Sequence, residues 1–108
     1  MSDTQTIQPP LVKPEFKVKP EFKVKQPAMY VVLVHNDPFT PREFVVEVLQ
    51  IFFQKNSDEA GHIMLKAHRT GLGAVGVYTL EIAETKTAKA NKYSVDQGKM
   101  LLFSIEEA

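Results

Sequence analysis

Five of the seven prolines, Pro9, Pro10, Pro14, Pro20 and Pro27, fall within residues 1 to 28, and that stretch contains no glycine. A proline ring fixes φ and removes a backbone donor, so prolines at this density interrupt helices and strand ladders alike. Within the stretch Val12-Lys13-Pro14-Glu15-Phe16-Lys17 recurs unchanged as Val18-Lys19-Pro20-Glu21-Phe22-Lys23, and a third start follows at Val24-Lys25. Two hexads do not make a solenoid. The expectation for residues 1–28 is a flexible, Pro/Lys-rich N-terminal extension, disordered or polyproline-like, either a plain solvated tail or a tether or handle. A folded core must then come from residues 29–108, enough for one small domain.

Charge and composition exclude several classes. The 13 basic and 13 acidic residues cancel, so the chain carries no field of one sign to hold a phosphate backbone, and nucleic acid is not an expected partner. No cysteine is present, which removes disulfides and thiolate metal sites. The longest purely apolar run, Val31-Val32-Leu33-Val34, is far below the roughly 20 residues that span a bilayer, so no membrane span is expected. The N-terminus does not read as a secretory signal, and a cytoplasmic location is the expectation.

From Met29 onward the patterning is that of a compact α+β domain. Tyr30 to Val34 reads as a buried strand, and His35-Asn36-Asp37-Pro38-Phe39 carries turn chemistry. Thr40-Pro41-Arg42-Glu43 predicts a helix start, with Thr40 as N-cap, Pro41 at the first turn and Glu43 closing a capping box. The helix that follows places Glu43, Glu47, Gln50 and Gln54 on one polar stripe, with Phe44, Val45, Val48, Leu49, Ile51 and Phe52 toward a core. Ser57-Asp58-Glu59 begins a second helix that buries Ala60, Ile63, Met64 and Ala67 and stops at Gly71. A strand is predicted over 75–82, a third helix over 84–95 with small residues Thr87, Ala90 and Ser94 at helical spacing, and a last strand over 100–105. The order is β-α-α-β-α-β, a three-stranded sheet with three helices on one side.

Several chemical motifs fail on context. Gly71-Leu72-Gly73-Ala74-Val75-Gly76 has dinucleotide-fingerprint spacing, but a helix precedes it and a strand follows, the reverse of what pyrophosphate binding needs. These glycines read as a helix stop and a tight strand entry. His62 and His68 lie six apart on one helix, about 240° around its axis, and cannot chelate together. No nucleophile elbow surrounds any serine. No catalytic residue, metal or cofactor is expected. What stands out is Asn36-Asp37 at a strand end, with His68 near the end of the second helix. An amide oxygen, a carboxylate and an imidazole suit a cation with several N–H donors, such as a free α-amino group. A turn that serves only the fold would use the same Asn-Asp pair.

The run from Met29 through Asn36-Asp37-Pro38-Phe39-Thr40-Pro41-Arg42-Glu43 to Leu49 resembles the signature of ClpS, the bacterial N-end-rule adaptor of the Clp protease. Met64-Leu65-Lys66-Ala67-His68-Arg69-Thr70-Gly71, Ala83-Glu84-Thr85-Lys86 and Leu101-Leu102 carry the same resemblance. It covers residues 29–108 and leaves the extension outside. The resemblance implies an α+β fold of three antiparallel strands and three helices. It also implies a non-enzymatic adaptor that captures N-terminal Leu, Phe, Tyr or Trp and delivers the substrate to a Clp ATPase of ClpA or ClpC type.

Carried over by position, Asn36, Asp37 and His68 would hold the α-amino group, and Thr40, Arg42, Val45, Ala67 and Leu101 would line the side-chain pocket. Glu81 and Lys86 would dock on the ATPase N-terminal domain, and a monomer is expected. The chain departs from the family at Pro38, where a second acid is usual, at Arg42, where methionine is usual, and at Ala67, where a larger valine is common. The alternative is therefore a ClpS-like regulator that docks on the ATPase with altered or lost N-degron recognition.

Overall fold

A computed structural model describes residues 27–108; the extension and its repeat lie almost wholly outside the described residues. The elements are β1 (Met29–His35), α1 (Arg42–Phe53), α2 (Ser57–Thr70), β2 (Leu72–Thr79), α3 (Leu80–Asp96) and β3 (Leu102–Glu107). The sheet is antiparallel throughout, in the order β2-β1-β3. The most apolar strand therefore takes the central place, where both neighbours cover it. Val32 and Val34 of β1 are fully buried and meet Val48, Leu49 and Phe53 of α1, Ala60 and Ala67 of α2, Ala83 and Ala90 of α3, and Phe103 of β3. The opposite face of the sheet, with Val77 and Leu102, is exposed.

The expected order of elements is present, and the boundaries differ in instructive ways. Thr40 does not cap α1. The helix begins at Arg42 with Pro41 as N-cap and no side-chain cap bond, because the Thr40 hydroxyl donates instead to the Asp37 carboxylate at 2.7 Å. A charge-assisted bond of this kind outweighs a neutral cap. The cap of α2 is Asn56, one residue earlier than Ser57, in a complete capping box with Glu59. Strand β2 runs over Leu72–Thr79 rather than 75–82, since its partner β1 starts at Met29, opposite Thr79, and supplies no ladder beyond it. Helix α3 accordingly starts at Leu80, four residues earlier than expected, and β3 starts two residues later. Ile51, expected toward the core, is half exposed, and Met64 is only partly buried, whereas Ile63 is partly buried and packs against the core.

The glycines act as the sequence suggests. Gly71 ends α2 in the left-handed region at φ 92°, where a side chain would be strained. A Cβ on Gly73 would stand 2.8 Å from the Ile63 carbonyl oxygen, so glycine is what lets β2 lie this close to α2. Alanine, threonine and serine on α3 do the same for its packing on the core, with Ala83, Thr87, Ala90 and Ser94 all buried. At the outer edge of β3, the Asn91 amide bonds both the N–H (2.9 Å) and the carbonyl (3.1 Å) of Phe103, so a side chain replaces a fourth strand there.

Candidate functional site

The segment between β1 and α1 is held at both ends. His35 Nε2 and the Ser104 hydroxyl share a 2.7 Å hydrogen bond that ties the end of β1 to β3. The Asn36 N–H donates to the Gly71 carbonyl at 3.0 Å, which joins the loop to the end of α2. Asp37-Pro38-Phe39-Thr40 then forms a β-turn closed by the Thr40 N–H on the Asp37 carbonyl at 3.1 Å, with proline at its second position, where φ is already set. Pro38 thus supports the turn that presents Asp37.

Two helices complete the enclosure. Arg42 and Val45 come from the first turns of α1, and Met64, Ala67 and His68 share one face of α2 at spacings of three and four. Leu101, 4% exposed, closes the floor just before β3. Asn36, Asp37, Thr40, Arg42, Val45, Ala67, His68 and Leu101, the residues that sequence reasoning selected, all line one cavity of about 220 Å³. Val34, His35, Pro38, Pro41 and Met64 line it as well. Of these, Met64 was legible as the residue one turn before Ala67-His68; the others are brought in only by the fold of the loop. One contact has no sequence signal at all: Arg42 Nη2 lies 2.7 Å from His68 Nε2. Guanidinium only donates, so Nε2 is the acceptor and the ring proton sits on Nδ1.

Glu81 and Lys86 stand elsewhere, on a wider groove of about 600 Å³ between the end of α1 and the start of α3. Ile51, Phe52, Gln54, Ile82, Thr85 and Lys89 form the rest of its wall. The Lys86 ammonium donates to the Phe52 carbonyl (3.3 Å) and the Gln54 side-chain oxygen (2.5 Å), and lies over the Tyr78 ring. It therefore caps the negative end of α1 while facing the groove. Burial pushes the Tyr78 hydroxyl above its ordinary pKa. His62 faces a third, shallow groove beside Arg69, and the described residues hold no cluster of His, Asp and Glu that would bind a metal ion. No described helix is long and apolar enough to cross a membrane.

Residues 25–104 match the family model for the ATP-dependent Clp protease adaptor protein ClpS. The ATP-dependent Clp protease adapter protein ClpS of Shewanella pealeana is 48% identical over 84 residues, 78% of this chain and 82% of that relative. That of Erwinia tasmaniensis is also 48% identical over 84 residues, covering 78% and 79%. The solved structure of Agrobacterium tumefaciens ClpS2 bound to L-phenylalaninamide superposes with a TM-score of 0.75 at 38% identity, over 77% of this chain and all of that one.

Proposed function

Because the chain belongs to the ClpS family of ATP-dependent Clp protease adaptors, which are not enzymes, we propose that its small cavity captures the first residue of substrate proteins bearing N-terminal Leu, Phe, Tyr or Trp. In this reading Asn36, Asp37 and His68 receive the α-amino group, and Thr40, Arg42, Val45, Ala67 and Leu101 surround the side chain. The observation that carries it is the convergence of an amide, a carboxylate and an imidazole at the rim of one apolar hollow. At about 220 Å³ the hollow is smaller than the roughly 300–1,000 Å³ typical of small-molecule sites, which suits a single side chain. The amino-acid amide bound to the Agrobacterium protein has the same two parts, a free amine and an apolar side chain.

The energetics fit an adaptor that must release its cargo. Hydrogen bonds to a charged group contribute about 1.5–3 kcal/mol each, and burial of a Leu or Phe side chain adds about 1.5–3 kcal/mol. After the cost of association, affinities near micromolar follow. An acetylated or internal residue lacks the donors and would leave Asp37 without a cationic partner.

Delivery assigns the second groove. Glu81 and Lys86 would meet the N-terminal domain of a Clp ATPase of ClpA or ClpC type, and residues 1–28 would be the part of the chain the ATPase engages, with 29–108 as the adaptor core. The Arg42–His68 contact favours a second reading, a regulator that docks on the ATPase without N-degron recognition, because it occupies an acceptor the amine would use. A fluorescence anisotropy panel of peptides with all twenty N-terminal residues decides between them. Binding of Phe, Tyr, Trp and Leu peptides, lost on N-acetylation, supports capture; no binding by any peptide, with ATPase-domain binding intact, supports the regulator.

A further inference from the structure

Arg42 stands where nothing in the helix favours it. It is the first residue of α1, and a cation there opposes the helix dipole. Its exposed side chain, with Met64, stands between the cavity and a neighbouring shallow groove of about 360 Å³ that Glu43 and Val46 also line. Its guanidinium donates to His68 Nε2 at 2.7 Å. An incoming α-ammonium also carries donors only, so the two cations compete for one lone pair. Once the ammonium takes it, the guanidinium is displaced but remains tethered beside a second positive charge. Among the described residues neither Asp37 nor Glu43 pairs with it, Lys92–Asp96 being the one ion pair. Because Arg42 borders both hollows, a substrate chain leaving the cavity on that side would bring its second residue to the guanidinium.

We propose that Arg42 is a specificity-determining residue that makes this adaptor favour N-degrons whose second residue is Asp or Glu and disfavour those with Lys or Arg. The inference rests on the amine-capture reading above. A carboxylate at the second position offers the released guanidinium a two-pronged partner and cancels its repulsion of the amine. Methionine at this position would have no such selectivity.

The test is an anisotropy titration of three peptides that differ only at residue two, Phe-Asp, Phe-Ala and Phe-Lys, against the full chain and its Arg42→Met variant. The native chain should bind Phe-Asp about 3–10-fold tighter than Phe-Ala and Phe-Lys more weakly still, with the spread shrinking between low and high salt. In Arg42→Met the three affinities should agree within about 2-fold. The same ranking in Arg42→Met, or no ranking in the native chain, overturns the proposal. If the native chain binds none of the three and Arg42→Met binds all, Arg42 is a plug and not a selector, while amine capture stands. If neither protein binds any of them, amine capture falls too.

Discussion

At its N-terminal end α1 contributes Arg42 and Val45 to a narrow cavity whose polar rim is fixed by a turn, whereas at its C-terminal end Ile51, Phe52 and Gln54 form one wall of a wide, open groove. Arg42 and the C-cap Gln54 are twelve positions apart, about 18 Å along the helix axis. The two ends face opposite electrostatic tasks. A cation captured near the helix N-terminus works against the dipole, so the site needs a carboxylate, and Asp37 is held there by the Pro38 turn and the Thr40 hydroxyl. A cation at the C-terminal end works with the dipole, and Lys86 needs only backbone and amide oxygens to stay in place. One helix thus supports two surfaces whose chemistry is separable, and mutations should separate them.

The largest separation is expected from Asp37→Ala. It removes the single carboxylate at the proposed amine subsite and should weaken binding of a Phe-initiated peptide by on the order of 100-fold, with ATPase-domain binding unchanged, both read by anisotropy. Gly73→Ala comes next. Its Cβ would crowd the Ile63 carbonyl at 2.8 Å, costing about 1–3 kcal/mol in a denaturant melt, and the displaced α2 carries Met64, Ala67 and His68. Peptide binding should fall while docking at the α1–α3 groove persists. The converse is Lys86→Ala, which should weaken ATPase-domain binding by about 10-fold and leave peptide affinity within 2-fold, since Lys86 touches only the wide groove.

The smallest effect concerns the contact that holds the two ends of α1 to α3. Tyr93 stacks on Phe44 at 5.7 Å, tilts against Phe52 at 5.3 Å, and donates its hydroxyl to Glu47 at 2.6 Å. That hydrogen bond, with burial and the Glu47 charge, raises the phenol above its ordinary pKa of 10.0. A group whose folded pKa is raised contributes stability that is complete below the unfolded value and lost as pH rises through the folded one. The contribution of Tyr93 to stability should therefore be lost as pH rises above about 10. Absorbance titration of the phenols should show one of the two raised tyrosines, Tyr93, move toward its ordinary range in Glu47→Gln while Tyr78 stays raised.

How far the sequence reaches differs between these regions for physical reasons. Of the cavity, Asn36-Asp37 at a strand end and His68 near a helix end that Gly71 marks were legible from their chemistry, whereas Thr40, Arg42, Val45, Ala67 and Leu101 were placed there by the family resemblance. The partition of labour inside it was not legible: Thr40 has the chemistry of an N-cap and of a carboxylate partner, and only the Asp37–Thr40 turn decides between them. The Arg42–His68 bond joins residues 26 positions apart and leaves no local trace. The wide groove was half legible. Glu81 and Lys86 were identified through family resemblance, but Leu80 and Ile82 alternate as a strand would, and β2 stops before them only because β1 supplies no partner past Met29. Ile51 fits an apolar helix stripe equally well as core or as groove wall, and at 50% exposure it is the latter.

On the proposed function, one chain would hold its cargo and its machine at independent sites. The direct measurement is the affinity of a Phe-initiated peptide for the chain alone and for the chain saturated with the N-terminal domain of a Clp ATPase, by anisotropy of the labelled peptide. Independent sites predict affinities that agree within about 2-fold and a stable ternary complex. Displacement of the peptide by the ATPase domain would contradict the account.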